Sequence, residues 1–237
     1  MTVETSTLQD FTLLRYNMDG SLDTTFGNRG VVSTDFGHAI DTAKEMVIDD
    51  LGRILVVGGG MLGTVRTIEV ARYHPDGSLD KSFGTGGTLV TNLGTDARAV
   101  ALQADGRIVI AGSAVAVGSP IGDTNFVLLR LEESGSLDAS FGDAGVVTTD
   151  FEQGGDAVNS VMIQPDGRIV AAGTITGKNN TEQQFGLARY LPDGTLDATF
   201  GDGGRVITDL GSKSEYGAEG CLESDGRIVF IGTSRDE

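Results

Sequence analysis

The chain has 237 residues, of which 39% are hydrophobic and 22% charged, so it is long enough to bury a substantial core in one or two domains. Its 34 acidic residues outnumber its 17 Lys and Arg residues, and the net charge of -17 disfavours nucleic acid and anionic membranes as partners. One cysteine excludes an intrachain disulfide, and the spacing of two histidines does not suggest zinc.

The N-terminal segment shows no signal-peptide pattern. No later run reaches the roughly 18 apolar residues that a membrane-spanning helix requires. We therefore expect no membrane insertion, while the cellular compartment stays open.

One sequence unit occurs four times along the chain. The segment FTLLRYNMDGSLDTTFG begins at Phe11, and related segments begin at Ile68, Phe126 and Phe185, giving spacings of 57, 58 and 59 residues. A second block, such as DGRIVIAG from Asp105, recurs in step with the first. A period of this size is typical of propeller blades and solenoids.

Each repeat predicts four short strands. The first, here called the inner strand, covers 44–48 and its counterparts, and it is apolar enough on both faces to be covered on two sides. An Asp-Gly turn then leads into the second strand. The third strand, such as 185–190, precedes another turn, and the fourth is typified by 146–150. No segment has a sustained helical period, so the prediction is an all-β protein.

Four such units predict a β-propeller with four blades of about 58 residues in one domain, 1–237. The chain enters the repeat at a third strand and leaves it at a second strand. We therefore expect the N- and C-terminal strand pairs to close one blade jointly. The alternative is that two chains exchange these pairs and form an eight-bladed ring.

The motif R-Y-x-P-D-G-S-L-D-x-S-F-G, followed by Q-P-D-G-R-I-V-x-A-G, resembles the delta-60 repeat, a bacterial relative of NHL-type propeller repeats. The resemblance covers about residues 11–233. It implies a bacterial β-propeller whose repeats are not enzymes and whose ligands are mostly undefined; only this resemblance suggests a cell-surface or secreted location. The third repeat departs from the motif, with Leu131 for Tyr and Glu133-Ser134-Gly135 for Pro-Asp-Gly.

Three residue types are shared by all four repeats: an Arg on the third strand, an Asp in the following turn, and a Phe after it. The sets are Arg15, Arg72, Arg130 and Arg189; Asp23, Asp80, Asp138 and Asp197; and Phe26, Phe83, Phe141 and Phe200. Their presence in every repeat favours an architectural Arg–Asp pair with the Phe packed between blades. The alternative interpretation is a ligand site repeated in each blade.

Recognition by a single site is expected where the repeats differ. Equivalent inner-strand positions hold Lys44, Arg98 and Asn159, which predicts a polar cluster at the channel mouth that could hold an anion; the alternative is an ordinary solvated lining. A second candidate ligand site is the variable loop containing Lys178, Asn179 and Asn180.

These observations favour a non-enzymatic binding or scaffolding module, a monomer or swapped homodimer, with a protein or glycan ligand. The alternatives are a multivalent carbohydrate-binding propeller and a channel-centred hydrolase. We expect no catalytic residue, cofactor or metal site, because His38 and His74 lie in loop and turn segments without a candidate nucleophile. Cys221, on an inner strand, is expected to be buried.

Overall fold

The computed structural model describes residues 9–38, 40–115, 123–151, 154–177, 182–212 and 214–236. These residues form sixteen β-strands. In chain order the strands are β1 (Phe11–Leu14), β2 (Val31–Thr34), β3 (Asp41–Ile48), β4 (Ile54–Leu62), β5 (Val65–Tyr73), β6 (Thr88–Thr91), β7 (Asp96–Leu102), β8 (Ile108–Val115), β9 (Thr124–Leu131), β10 (Val146–Thr149), β11 (Ala157–Ile163), β12 (Ile169–Thr176), β13 (Gln183–Tyr190), β14 (Arg205–Thr208), β15 (Ser214–Leu222) and β16 (Ile228–Arg235). The described part contains no helix with the length and apolar character needed to cross a membrane.

The chain divides into two compact units, residues 1–97 and 98–237. In the first unit, β3 to β6 form a four-stranded sheet in chain order, and β1 pairs with β2. In the second unit, β7 to β10 form one sheet and β11 to β14 another. The first two residues of β7 belong to the first unit. A single parallel bridge joins the hairpin of β15 and β16 to β13. The predicted four-strand repeat is confirmed, whereas the single domain stays a prediction.

The turn between the inner and second strands follows from its local sequence. Between β11 and β12, the amide of Gly167 donates to the carbonyl of Gln164 at 2.9 Å, and the Gln164 amide donates to the carbonyl of Arg168 at 2.8 Å. Gly167 has a φ of 83°, a conformation that glycine adopts without steric cost. The Asp-Gly sequence therefore suits the tight turn that joins the two strands.

Apolar third strands build the core of each unit. In the second unit, Phe126 and Leu128 on β9 are fully buried, and they share one cluster with Val109 on β8 and Val158 on β11. In the first unit, Phe11, Phe26 and other apolar side chains form a corresponding cluster. Burial of aromatic and branched side chains at these repeated positions provides most of the driving force for each sheet.

The shared Arg, Asp and Phe side chains form the same contact in every repeat. The Arg Nε atom lies 2.7–2.9 Å from the Asp Oδ2 atom, and the guanidinium lies 4.5–4.8 Å from the centre of the Phe ring. Burial opposes ionisation of Asp138, but hydrogen bonds from Ser140 and the Arg130 guanidinium lower its pKa to about 2. The predicted Arg–Asp pairing is confirmed, and its architectural role stays a prediction.

The same side chains also join one repeat to the next within each unit. In the second unit, Arg130 donates to the carbonyl of Pro192, and the Gly142 amide donates to the carbonyl of Asp193 at 2.8 Å. Gly194 in this turn has a φ of 90°, and a Cβ atom there would lie 2.9 Å from the Phe141 ring. The Pro-Asp-Gly turn therefore requires glycine both for its backbone conformation and for its contact with the preceding repeat.

The first unit repeats this arrangement. Arg15 donates to the carbonyl of Pro75, and the Gly27 amide donates to the carbonyl of Asp76 at 2.8 Å. The link is thus a property of the repeat and not of one position in the chain.

Two expectations about the inner strands are wrong. On β3, Met46 and Ile48 are 58% and 60% exposed, so this strand is not covered on both faces. Cys221 on β15 is also exposed. In the second unit, the inner strand β11 is covered by strands of the two neighbouring sheets. For β3 and β15, one such covering strand has no counterpart among the described residues, so their apolar side chains are not buried.

Replacing Arg130 with Ala should strongly destabilise the second unit, because Asp138 is buried and would keep only Arg107, 3.0 Å away, as an Arg partner. We expect a loss of about 2–4 kcal/mol in the free energy of unfolding, measured by urea denaturation. The exposed Lys81→Ala control should change it by less than about 0.5 kcal/mol. An equally small change for Arg130→Ala would contradict the architectural role.

Candidate functional site

The free edge of β1 opens onto an apolar groove in the first unit. In the complete blades the third strand lies between the second and fourth strands, whereas β1 pairs with β2 and has no strand partner on its other edge among the described residues. The groove beside this edge has a volume of about 440 Å³. Its lining includes Leu14, Tyr16, Lys44, Met46, Ile48 and Ile54.

The second unit shows what occupies the corresponding position in a complete blade. There β8 pairs with the third strand β9 and also contacts the inner strand β11 of the next blade. Val109 and Ala111 of β8 are completely buried in that position. The groove beside β1 is therefore the place of a second strand.

The hairpin of β15 and β16 lacks a third strand beside β16 among the described residues. β16 pairs with β15, and its other edge has no strand partner among the described residues. Val229 and Ile231 match Val109 and Ala111 in the repeat, yet they are 41% and 59% exposed. A second strand without its third strand leaves apolar side chains in contact with water.

The site residues predicted from the sequence fall in three places. Arg98 and Asn159 come together, since the Arg98 Nη1 atom donates to the Asn159 Oδ1 atom at 3.0 Å. The Asn159 Nδ2 atom in turn donates to the Gly217 carbonyl at 2.6 Å. Lys44 is exposed beside the groove in the first unit. The loop residues Lys178, Asn179 and Asn180 lie outside the described residues, so the predicted ligand roles of all these residues stay predictions.

A buried carboxylate stands at the start of three inner strands. The Asp41, Asp156 and Glu215 carboxylates accept hydrogen bonds from the backbone amides of Phe36, Phe151 and Leu210, respectively. Burial raises the pKa of Asp156 to about 7, although these amide hydrogen bonds act in the opposite direction. The repeated contact holds the loop that precedes each of these three inner strands.

In the first unit this carboxylate belongs to a larger cluster. The His38 Nδ1 atom lies 2.7 Å from the Glu69 Oε1 atom and 3.5 Å from the Asp41 Oδ1 atom. Glu69 is fully buried, and this burial raises its pKa. This cluster was not predicted from the sequence. The feature of the sequence that could have indicated it is the acidic residue Glu69 on a third strand. The equivalent positions in the other repeats hold Thr12, Val127 and Gly186.

Four-stranded repeats with these interlocking turns define a β-propeller, and a family comparison supports the same conclusion. The family model described as "Domain of unknown function (DUF5122) beta-propeller" matches residues 2–26, 52–83, 103–141 and 164–200, more than half of the chain. The chain belongs to this family. The predicted propeller class and repeat family are thereby confirmed.

A solved structure shows a similar fold in a distant protein. A protein of unknown function from Bacteroides caccae has a TM-score of 0.52 and 10% identity, over 94% of this chain and 65% of that chain. A mannose phosphorylase from Leishmania mexicana has a TM-score of 0.41 and 12% identity, over 83% and 64%. The chain therefore spans somewhat less than two thirds of either protein. No curated protein matches the sequence.

The protonation of Asp156 should make stability depend on pH. Its folded-state pKa of about 7 lies above the ordinary value of 3.8, so between pH 4 and 7 the folded state keeps a proton that the unfolded state has lost. Stability should therefore fall as the pH rises through this window and level off above it. In urea denaturation, the free energy of unfolding of Asp156→Asn should fall less over this pH range than that of the wild type. The difference between the two decreases should be at most about 4 kcal/mol.

The exposed Asp143→Asn variant is the matched control and should keep the wild-type pH dependence. Identical pH profiles for Asp156→Asn and wild type would show that Asp156 is ionised throughout this range.

Proposed function

We propose that the chain is a non-catalytic binding and scaffolding module that associates with a second copy of itself by strand addition. In this association β16 of one copy lies in the groove beside β1 of the other. The observation that carries the proposal is the free edge of β1 beside an apolar groove, together with a free edge on β16. Main-chain pairing provides affinity in such contacts, and side-chain pockets provide specificity.

Repeat equivalence supports β16 as the occupant. β4, β8 and β12 each pair with the third strand of their own blade, and β16 carries the same D-G-R-I-V block as β8 and β12. In blades formed by β7–β10 and β11–β14, Ile110 pairs with Leu129 and Ala171 pairs with Ala188. The same register places Phe230 of one copy opposite Leu14 of the other.

The apolar faces on the two sides are also complementary. Met46 and Ile48, which line the groove, occupy the positions of Val161 and Ile163 on β11. Val161 is 9% exposed because it packs in the cluster that contains Val109 of β8. Seating β16 in the groove would remove the corresponding exposed surface from water, which favours association.

Charge gives a second, independent match. In two complete blades, the Arg at the start of the second strand reaches the Asp after the third strand: Arg107 lies 3.0 Å from Asp138, and Arg168 lies 2.9 Å from Asp197. The equivalent Arg227 is 74% exposed and contacts acidic groups of its own turn. Strand addition would bring Arg227 to Asp23 of the other copy, where it would complete the same arrangement.

An engineered disulfide tests this pairing. A chain with Leu14→Cys and Phe230→Cys, in a Cys221→Ser background, should form covalently linked dimers under mild oxidation, because the two positions face each other between copies. A non-reducing gel should show dimer as the main product. The matched control pairs Phe230→Cys with Val90→Cys, an exposed apolar position on the outer strand β6, and should yield little dimer.

Two results would contradict the proposal. A cross-linked monomer would mean that β1 and β16 pair within one chain, and cross-linking no greater than in the control would mean that they do not pair. Light scattering on the unmodified protein provides a measurement free of mutations. A dimer mass is expected, and a monomer mass at all accessible concentrations would also overturn the proposal.

A further inference from the structure

The buried cluster in the first unit has the composition of a metal site. It combines one imidazole nitrogen, from His38, with two carboxylates, from Asp41 and Glu69. One ligand atom from each residue lies within 4.8 Å of the others. The His38 side chain is 6% exposed, and the Asp41 and Glu69 side chains are fully buried.

The cluster contains carboxylate oxygens that the described residues do not satisfy. The Asp41 Oδ2 atom accepts the Phe36 amide, but the Asp41 Oδ1 and Glu69 Oε2 atoms are buried without a hydrogen-bond partner. Such oxygens are costly in a protein interior unless a cation or a donor faces them. By contrast, both carboxylate oxygens of Asp156, at the matching position in the second unit, accept backbone amides.

The architecture of the repeat does not require this cluster. At the position of Glu69 the other repeats have Thr12, Val127 and Gly186, and at the position of His38 two of them have Gln153 and Ser212. The imidazole and the second carboxylate therefore occur together in one repeat only. They lie beside Asp41, whose equivalent Asp156 holds the loop before the inner strand in the second unit.

A third change in the same repeat makes space for the cluster. Gly60 stands where the following repeats have Ala114 and Ile175. A Cβ atom at Gly60 would lie 2.0 Å from the Glu69 Oε1 atom and 2.9 Å from the Asp41 Oδ1 atom. The glycine thus permits the two carboxylates to approach each other, although their charges repel.

We propose that His38, Asp41 and Glu69 bind a divalent first-row transition-metal ion of the Zn²⁺ type. Three nitrogen and oxygen ligands match the protein contribution to known three-ligand zinc sites. The imidazole favours this class over Mg²⁺ and Ca²⁺, which prefer sets of oxygen ligands. Asp10 and Asp35 place further carboxylates close to Asp41 and increase the attraction for a cation.

Zinc titration of the chelator-treated full chain tests the proposal. Calorimetry should show about one Zn²⁺ bound per chain, and Zn²⁺ should raise the melting temperature. Equal concentrations of Mg²⁺ or Ca²⁺ should leave it unchanged. Because the chain has two histidines, Zn²⁺ should shift one of two imidazole signals in the NMR spectrum.

Variants assign the ligands. His38→Asn should abolish both zinc binding and the shifted imidazole signal, whereas the matched His74→Asn variant should retain them. Glu69→Val, which introduces the side chain of the equivalent Val127, should abolish zinc binding and leave a folded protein. Gly60→Ala keeps all three ligands but fills the space between the carboxylates, and it should weaken binding at least about 10-fold.

Several outcomes would overturn the proposal. The absence of zinc binding by the wild-type chain would mean that the cluster is a His38–Glu69 ion pair without a metal. Loss of binding in His74→Asn, or its persistence in His38→Asn, would place the zinc elsewhere. Circular dichroism establishes whether each variant is folded, and the wild-type titration decides the matter even if a variant does not fold.

Discussion

The contact of an Arg guanidinium with an Asp carboxylate and a Phe ring is the interaction on which the rest of the structure depends. In one set of side chains it fixes the loop after the third strand, covers an aromatic residue of the core and reaches the turn of the next repeat. A single contact thereby stabilises the sheet and sets its spacing from its neighbour within each unit. Its repetition explains why the four segments fold alike.

The exceptions to the repeat carry the functional inferences. Where a residue type recurs at equivalent positions, its chemistry serves the fold, as in the buried carboxylate that holds the loop before three of the inner strands. Where one repeat departs from this pattern, the departure points to a property of that repeat alone. Glu69, His38 and Gly60 depart together around one buried point, and the exposed apolar side chains of β3 and β16 depart from the burial of their equivalents.

Local chemistry made much of the fold predictable. The Asp-Gly turns, the four strands of each repeat and the Arg–Asp pairs follow from short segments or from comparing repeats. The exposure of Met46 and Cys221 could not be predicted, because it depends on which distant strand covers each sheet. Nor could the His38–Glu69 contact, whose partners lie 31 residues apart and meet only when the loop folds over the third strand.

The most direct test of the Arg–Asp–Phe link is hydrogen exchange at the Gly142 amide. This amide donates to the Asp193 carbonyl across the boundary between two repeats, at a loop position that would otherwise exchange rapidly. If the link holds the repeats together, Gly142 should exchange at the rate of the buried β9 and β12 amides, through unfolding of the whole unit. Exchange at the rate of an exposed loop would contradict the account.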